Sequence, residues 1–335
     1  MWIRRNDSVH WLILIPIFVL GVFFTSCTTP VTTDDEQDEL DQIEMAMGFR
    51  PDVQFAPMYM MMEGGHARDA GLEIEITHLP ETEAVELIAA EELQFAIVSG
   101  EQVLLAREQG LPIVYVMAWW QDYPVAIATS QDSGIMYVDD LAGKRVGIPG
   151  LYGASYIGLR ALLSAEDVDV DSLLLDSIGY TQVEALHQGL EDAVVIYANN
   201  EPVQLEALGM PLNIIRVADH VQLASNGIVT SERVVAENPE LVRRLVRAFR
   251  RGLEETISDP DEAFEVSKLY VEGLEAVTTS VQRDILKESI KFWTAEQIGY
   301  SDPLAWKNMQ NVLIEMGLLQ EEVDLTGAYT NEFLE

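Results

Sequence analysis

The chain has 335 residues, one cysteine, and 56 acidic against 20 basic side chains, a formal net charge of −36 at pH 7. Such a charge argues against nucleic acid or an anionic membrane surface as partner. A lone cysteine excludes an internal disulfide and a thiolate metal cluster, and a chain of this length buries a sizeable core unaided.

In chain order, residues 1–27 read as an export signal. Arg4 and Arg5 form a short positive region and residues 11–24 an apolar run, shorter than the roughly 20 residues a spanning helix needs. The following Phe24-Thr25-Ser26-Cys27 resembles a bacterial lipobox, so Cys27 is expected to be the first mature residue and to carry a lipid. An uncleaved anchor is the competing reading, and both place the rest of the chain outside the cytoplasm. Residues 28–42, threonine-rich and then acidic, read as a flexible tether.

From residue 43 strand-like and helix-like runs alternate, the pattern of α/β layers. Strands are predicted over 43–47, 72–77, 95–98, 113–117 and 125–129, with helices over 56–63, 82–90 and 102–109. A turn cluster at 131–134 marks a change. Strands at 145–148, 173–178 and 193–197 then alternate with helices at 154–163 and 182–188. After a strand at 227–230 the chain is helical over 239–256, 260–270, 281–292 and 303–316, with proline at two helix starts, Pro239 and Pro260, each behind a capping residue. The fold class is therefore α/β and two-lobed, each lobe a mixed sheet flanked by helices. Residues 43–129 and 218–335 make one lobe, residues 130–217 the other, with the hinge near Ser130 and Val217.

Ligands of open α/β sheets collect at the carboxyl ends of strands, so the loops after strands carry the candidate site. They hold Gln54, Phe55 and Tyr59; Glu101 in Ser99-Gly100-Glu101-Gln102; Trp119, Trp120 and Tyr123; Tyr152 and Ser155; and Asn199, Asn200 and Glu201. Asn226, ahead of the strand at 227–230, completes the set. Aromatic, amide and acid groups without lysine or arginine suit a flat ring with N–H donors and carbonyl acceptors better than an oxyanion. Trp119 and Trp120 are adjacent, so at most one faces the ligand. Asn199-Asn200-Glu201 also fits a helix cap, Gly150 and Gly153 a tight turn, Glu81 and Glu83 a solvated face. The five histidines show no metal-ligand spacing, and no catalytic set can be read from spacing, so neither a metal, a cofactor nor a catalytic role is expected.

Residues 48–57 (GFRPDVQFAP), 99–102 (SGEQ), 140–147 (DLAGKRVG) and 197–202 (YANNEP) together resemble the solute-binding proteins of the thiamine-pyrimidine type, over about residues 43–332. The 150–156 (GLYGASY) and 197–202 segments are similar to the branch associated with riboflavin uptake, with formylaminopyrimidine binders as cousins. The resemblance implies a type II periplasmic-binding-protein fold that closes as a hinged clamp. It also implies an ABC importer with separate permease and ATPase subunits, served by a receptor for a flavin or a thiamine-precursor pyrimidine; with the segment ending at Cys27, that receptor is expected to be lipid-anchored, and to be a monomer. A fungal enzyme branch of the same fold uses a cysteine-rich iron site and a sacrificial histidine; no cysteine follows Cys27 here.

Overall fold

Residues 40–48, 50–274 and 279–335 are described by the structure, a computed structural model. The signal segment, Cys27 and the tether up to residue 39 lie outside them. The strands are β1 (Asp41–Met47), β2 (Leu72–His78), β3 (Phe95–Val98), β4 (Ile113–Ala118), β5 (Val125–Ser130), β6 (Arg145–Ile148), β7 (Leu174–Ser177), β8 (Ala193–Tyr197), β9 (Leu212–Arg216) and β10 (Gly227–Ser231). They form two five-stranded sheets, in the orders β2-β1-β3-β10-β4 and β7-β6-β8-β5-β9. In the first, β1 is parallel to β2 and β3, and β10 runs antiparallel to β3 and β4. In the second, β6 is parallel to β7 and β8, and β5 runs antiparallel to β8 and β9. Both sheets are mixed, as expected.

Between strands of the first sheet lie helices α1 (Ala56–Glu63), α2 (His66–Asp69), α3 (Glu81–Ala89) and α4 (Gly100–Glu108). Between those of the second lie α5 (Gly153–Ala165), α6 (Gln182–His187) and α7 (Glu201–Ala207). Helices α8 (Glu232–Glu237), α9 (Pro239–Ser258), α10 (Pro260–Ser267), α11 (Thr279–Trp293) and α12 (Pro303–Glu315) follow β10. Strands β3, β4 and β8 are almost wholly buried apolar runs, as strands covered on both faces must be.

The chain crosses from the first sheet to the second at residues 119–124 and returns at 217–226. The expected division at residue 130 therefore moves. Strand β5 sits inside the second sheet, with Val125 paired to Tyr197 and Ala126 to Arg216, because the backbone turns at Pro124 instead of at the polar cluster 131–134. Three elements escaped the sequence reading. Strand β9 is a partly exposed edge without clean alternation, while α7 and α8 span two turns or less. The first strand also starts at Asp41, inside the expected tether.

Helix α9 shows how local chemistry builds the first lobe. Asn238 Oδ1 caps it by accepting from Leu241 N at 3.3 Å, and Pro239 occupies its first turn. Leu241, Leu245, Ala248, Gly252 and Thr256 lie on the buried face at helical spacing. That face meets α1 so closely that a Cβ on Gly252 would stand 2.4 Å from Pro57 O and 2.6 Å from Met61 N. Alanine outranks glycine in a helix by about 1 kcal/mol, but overpacking against backbone costs about 1–3 kcal/mol. Gly252→Ala is thus expected to destabilise the protein on balance, read as a lower urea midpoint with an unchanged slope.

Candidate ligand-binding site

Strands β1 and β3 end at Met47 and Val98, β6 and β8 at Ile148 and Tyr197, and the acids and amides of the candidate set gather beyond these ends. Helix α3 starts with Glu81 and α4 with Gly100-Glu101, so both bring a carboxyl group toward Ser99. Glu81 Oε2 accepts from Ser99 N at 3.0 Å and from Ser99 Oγ at 2.5 Å, while Glu81 Oε1 accepts from Asn226 Nδ2 at 3.1 Å. Ser99 Oγ also lies 2.7 Å from Glu101 Oε1. Glu101 is fully buried, and its other oxygen, Oε2, has no hydrogen-bond partner among the described residues. Burial, with the nearby Glu81 charge second, pushes the Glu101 carboxyl up to about 8.

The second lobe supplies matching groups. Asn199 Nδ2 donates to Ser289 Oγ on α11 at 2.9 Å, leaving the buried Asn199 Oδ1 unpartnered among the described residues. Glu201 reaches back from the start of α7 to accept Tyr197 N at 2.9 Å. Burial raises it to about 7, with a smaller push from Asp52 of the first lobe. Asp52, which caps the turn at Gln54 through a 3.0 Å bond to its N–H, is itself raised by burial. Buried polar atoms normally find a partner, so open acceptors on Glu101 and Asn199 mark a place built to receive donors.

An aromatic wall joins the two lobes. Trp120 packs on Tyr197 at 6.4 Å, Phe292 at 5.6 Å and Trp293 at 5.9 Å between centroids. Trp119 packs on Phe55, Trp293 and Phe249 at 5.6, 5.6 and 6.0 Å. The Arg216 guanidinium lies 4.9 Å over the Phe292 ring, and Tyr123 Oη donates to Ala154 O at 3.0 Å across the lobes. A groove of about 880 Å³ lies against both crossing segments, its lining including Trp120, Tyr123, Ser225 and Trp306 but not Glu101, Asn199 or Glu201.

The structure therefore brings together Phe55, Glu101, Trp120, Tyr123, Asn199 and Glu201. Asn226 joins them as a brace, with its amide on Glu81. Trp119 is not a free face: it is core, packed on four rings. Tyr59 stacks on Tyr270 at 4.4 Å and donates to Asp52 O, one layer behind the cleft. Asn200 Oδ1 is taken by Gln204. Gln54 and Ser155 are half-buried, and Tyr152 is exposed, its ring lying over Gly150. The sequence reading missed Glu81, Asp52, Tyr197 and Trp293. Glu81 looked like a solvated helix face beside Glu83; the detectable signal was its place at a helix start immediately after a strand and its loop. Among the described residues, no group of three or more His, Cys, Asp or Glu is placed to hold a metal.

Two mixed α/β sheets joined by two crossings, with packed rings and buried acids gathered near the strand ends between them, define a fold of the periplasmic-binding type. The chain superposes on the periplasmic aliphatic sulphonate binding protein SsuA of Escherichia coli with a TM-score of 0.70 at 14% identity, over 85% of this chain and 96% of that one. It belongs to the NMT1/THI5-like family, whose model matches residues 52–263. It is 36% identical to the riboflavin-binding protein RibY of Chloroflexus aurantiacus over 95% of this chain and 97% of the relative. It is also 26% identical to a formylaminopyrimidine-binding protein of Halalkalibacterium halodurans, over 76% and 77% of the two chains.

The raised Glu201 carboxyl has a measurable consequence. The folded protein keeps this proton while the unfolded chain releases it near 4.5, so the stability it contributes is complete below about pH 4.5 and is lost as pH rises through about 7. Thermal unfolding followed from pH 5 to pH 8 should show a decline in Tm that is shallower in Glu201→Gln.

Proposed function

We propose that the protein is the extracytoplasmic binding component of an ABC importer and captures riboflavin or a related flavin between its lobes. The observation that carries this reading is the pairing of a continuous aromatic wall with buried acceptors left without a partner among the described residues, Glu101 Oε2 and Asn199 Oδ1. A flavin offers a broad ring for Trp120 and Tyr123 and, at its pyrimidine edge, N–H and carbonyl groups for the acids and amides. The likeness to a riboflavin-binding relative over nearly the whole chain supports the same ligand. A thiamine-precursor pyrimidine is the second reading: it presents a similar edge, and a relative of this chain is named for binding one.

Transport-grade affinity in the micromolar range corresponds to about 8 kcal/mol. Calorimetric titration should give riboflavin a Kd of micromolar or tighter, with formylaminopyrimidine weaker; the reverse order would establish the pyrimidine reading. Asn199→Ala removes one buried hydrogen bond worth about 1–1.5 kcal/mol and should weaken binding about tenfold.

The mature protein is held by a lipid on Cys27, acts as a monomer and delivers its ligand to separate permease and ATPase subunits. The signal-like segment and the Thr-Ser-Cys sequence ending at Cys27 support the anchor. Metabolic labelling with a radioactive fatty acid should mark the wild-type chain and leave Cys27→Ala unlabelled; equal labelling of both would remove the anchor.

A further inference from the structure

A hydroxyl carries one proton, yet Ser99 Oγ lies within hydrogen-bond distance of two carboxyl oxygens, Glu81 Oε2 at 2.5 Å and Glu101 Oε1 at 2.7 Å. Two ionised carboxylates are acceptors only, so Ser99 has a single proton for both. The second short contact needs a proton on the far side. Burial raises both carboxyls, but Glu81 is the better held as the anion, because its two oxygens already accept from Ser99 N, Ser99 Oγ and Asn226 Nδ2, bonds that favour its charged form. Glu101 touches only Ser99 through its side chain and keeps Oε2 unpartnered among the described residues.

We propose that Glu81, Ser99 and Glu101 share one proton, so that the cleft offers its ligand a neutral carboxylic acid backed by a carboxylate and selects a ring edge with an N–H over an anion. The hydrogen bonds then run from Glu101 to Ser99 Oγ and from Ser99 to Glu81. Glu101 Oε2 is left as a carbonyl acceptor for a ligand N–H. An anionic ligand would be repelled by the Glu81 charge behind that acid.

The surroundings favour the neutral form. Burial and the Glu81 charge raise Glu101 to about 8. Its electrostatic neighbours on other elements are Glu81 on α3 and the phenols of Tyr115 on β4, Tyr123 in the crossing and Tyr197 on β8, with no cation among them. All three phenols stay protonated, driven up chiefly by burial. The amino end of α4 pulls the other way, but the helix start does not supply a full positive charge to cancel Glu81.

This inference rests on the cleft being the ligand site, and its test separates the two. Infrared spectra of ligand-free protein labelled with 13C-glutamate should show the C=O band of a protonated carboxyl at pH 7. The band should fade as pH rises past about 8 and be absent from Glu101→Gln, a near-isosteric variant whose folding is checked by its melting temperature. No Glu101-dependent band at pH 7 overturns the shared proton whatever the ligand is. In the second arm, riboflavin should bind the wild type about tenfold more weakly at pH 9 than at pH 7, since ionisation near 8 leaves about one molecule in ten protonated at pH 9. Glu101→Gln should lose most of that dependence; equal slopes in the two proteins overturn the selective role of the acid. Absence of riboflavin binding at every pH counts against the flavin reading alone, and the infrared arm still decides the proton.

Discussion

The carbonyl of Asn226 accepts the backbone N–H groups of both Trp119 and Trp120 at 3.0 Å, and the side chain of the same residue donates to Glu81. These three bonds tie together the outgoing crossing, the returning crossing and the acid at the floor of the cleft. The aromatic wall hangs from the outgoing crossing, since Trp120 leads directly into its contacts with Phe292, Trp293 and Tyr197. Glu81 and its neighbour Glu101 are thereby tied structurally to both crossings between the sheets.

Crowded carboxyl groups carry an electrostatic cost in this molecule. Asp52 of the first lobe lies near Glu201 of the second, and Glu81 beside Glu101 within the first, in surroundings that largely exclude water. Desolvated carboxylates are expensive unless protonated or well supplied with donors. Glu81 meets that need with Ser99 and Asn226. Glu101 Oε2 and the amide oxygen Asn199 Oδ1 have no partner among the described residues, and N–H donors are their natural complement.

The Arg216 guanidinium lies over Phe292 and its Nη2 donates to Asp122 at 3.3 Å, while its buried Nε has no hydrogen-bond partner among the described residues. The general point is that the fold is shared among carriers of very different solutes, and the ligand is set by the few groups at the strand ends.

The sequence by itself determined most of the architecture. Buried apolar runs such as 95–98 and 193–197, prolines behind capping residues at 239 and 260, and turn clusters between periodic segments are local signals, and local propensity places such elements well. It also singled out loops such as Ser99-Gly100-Glu101 and Asn199-Asn200-Glu201, which follow the ends of β3 and β8, because a loop after a strand is legible from the apolar run before it. Only the tertiary structure decided that β5 belongs to the second sheet, that Glu81 is a cleft acid and not a solvated one, and that Trp119 is core while Trp120 is wall. Each of those outcomes depends on partners distant in the chain: Tyr197 opposite Val125, Asn226 against Glu81, Trp293 and Phe249 around Trp119. Hydrophobic periodicity reports which face of an element is buried, but not what lies on the other side of that burial.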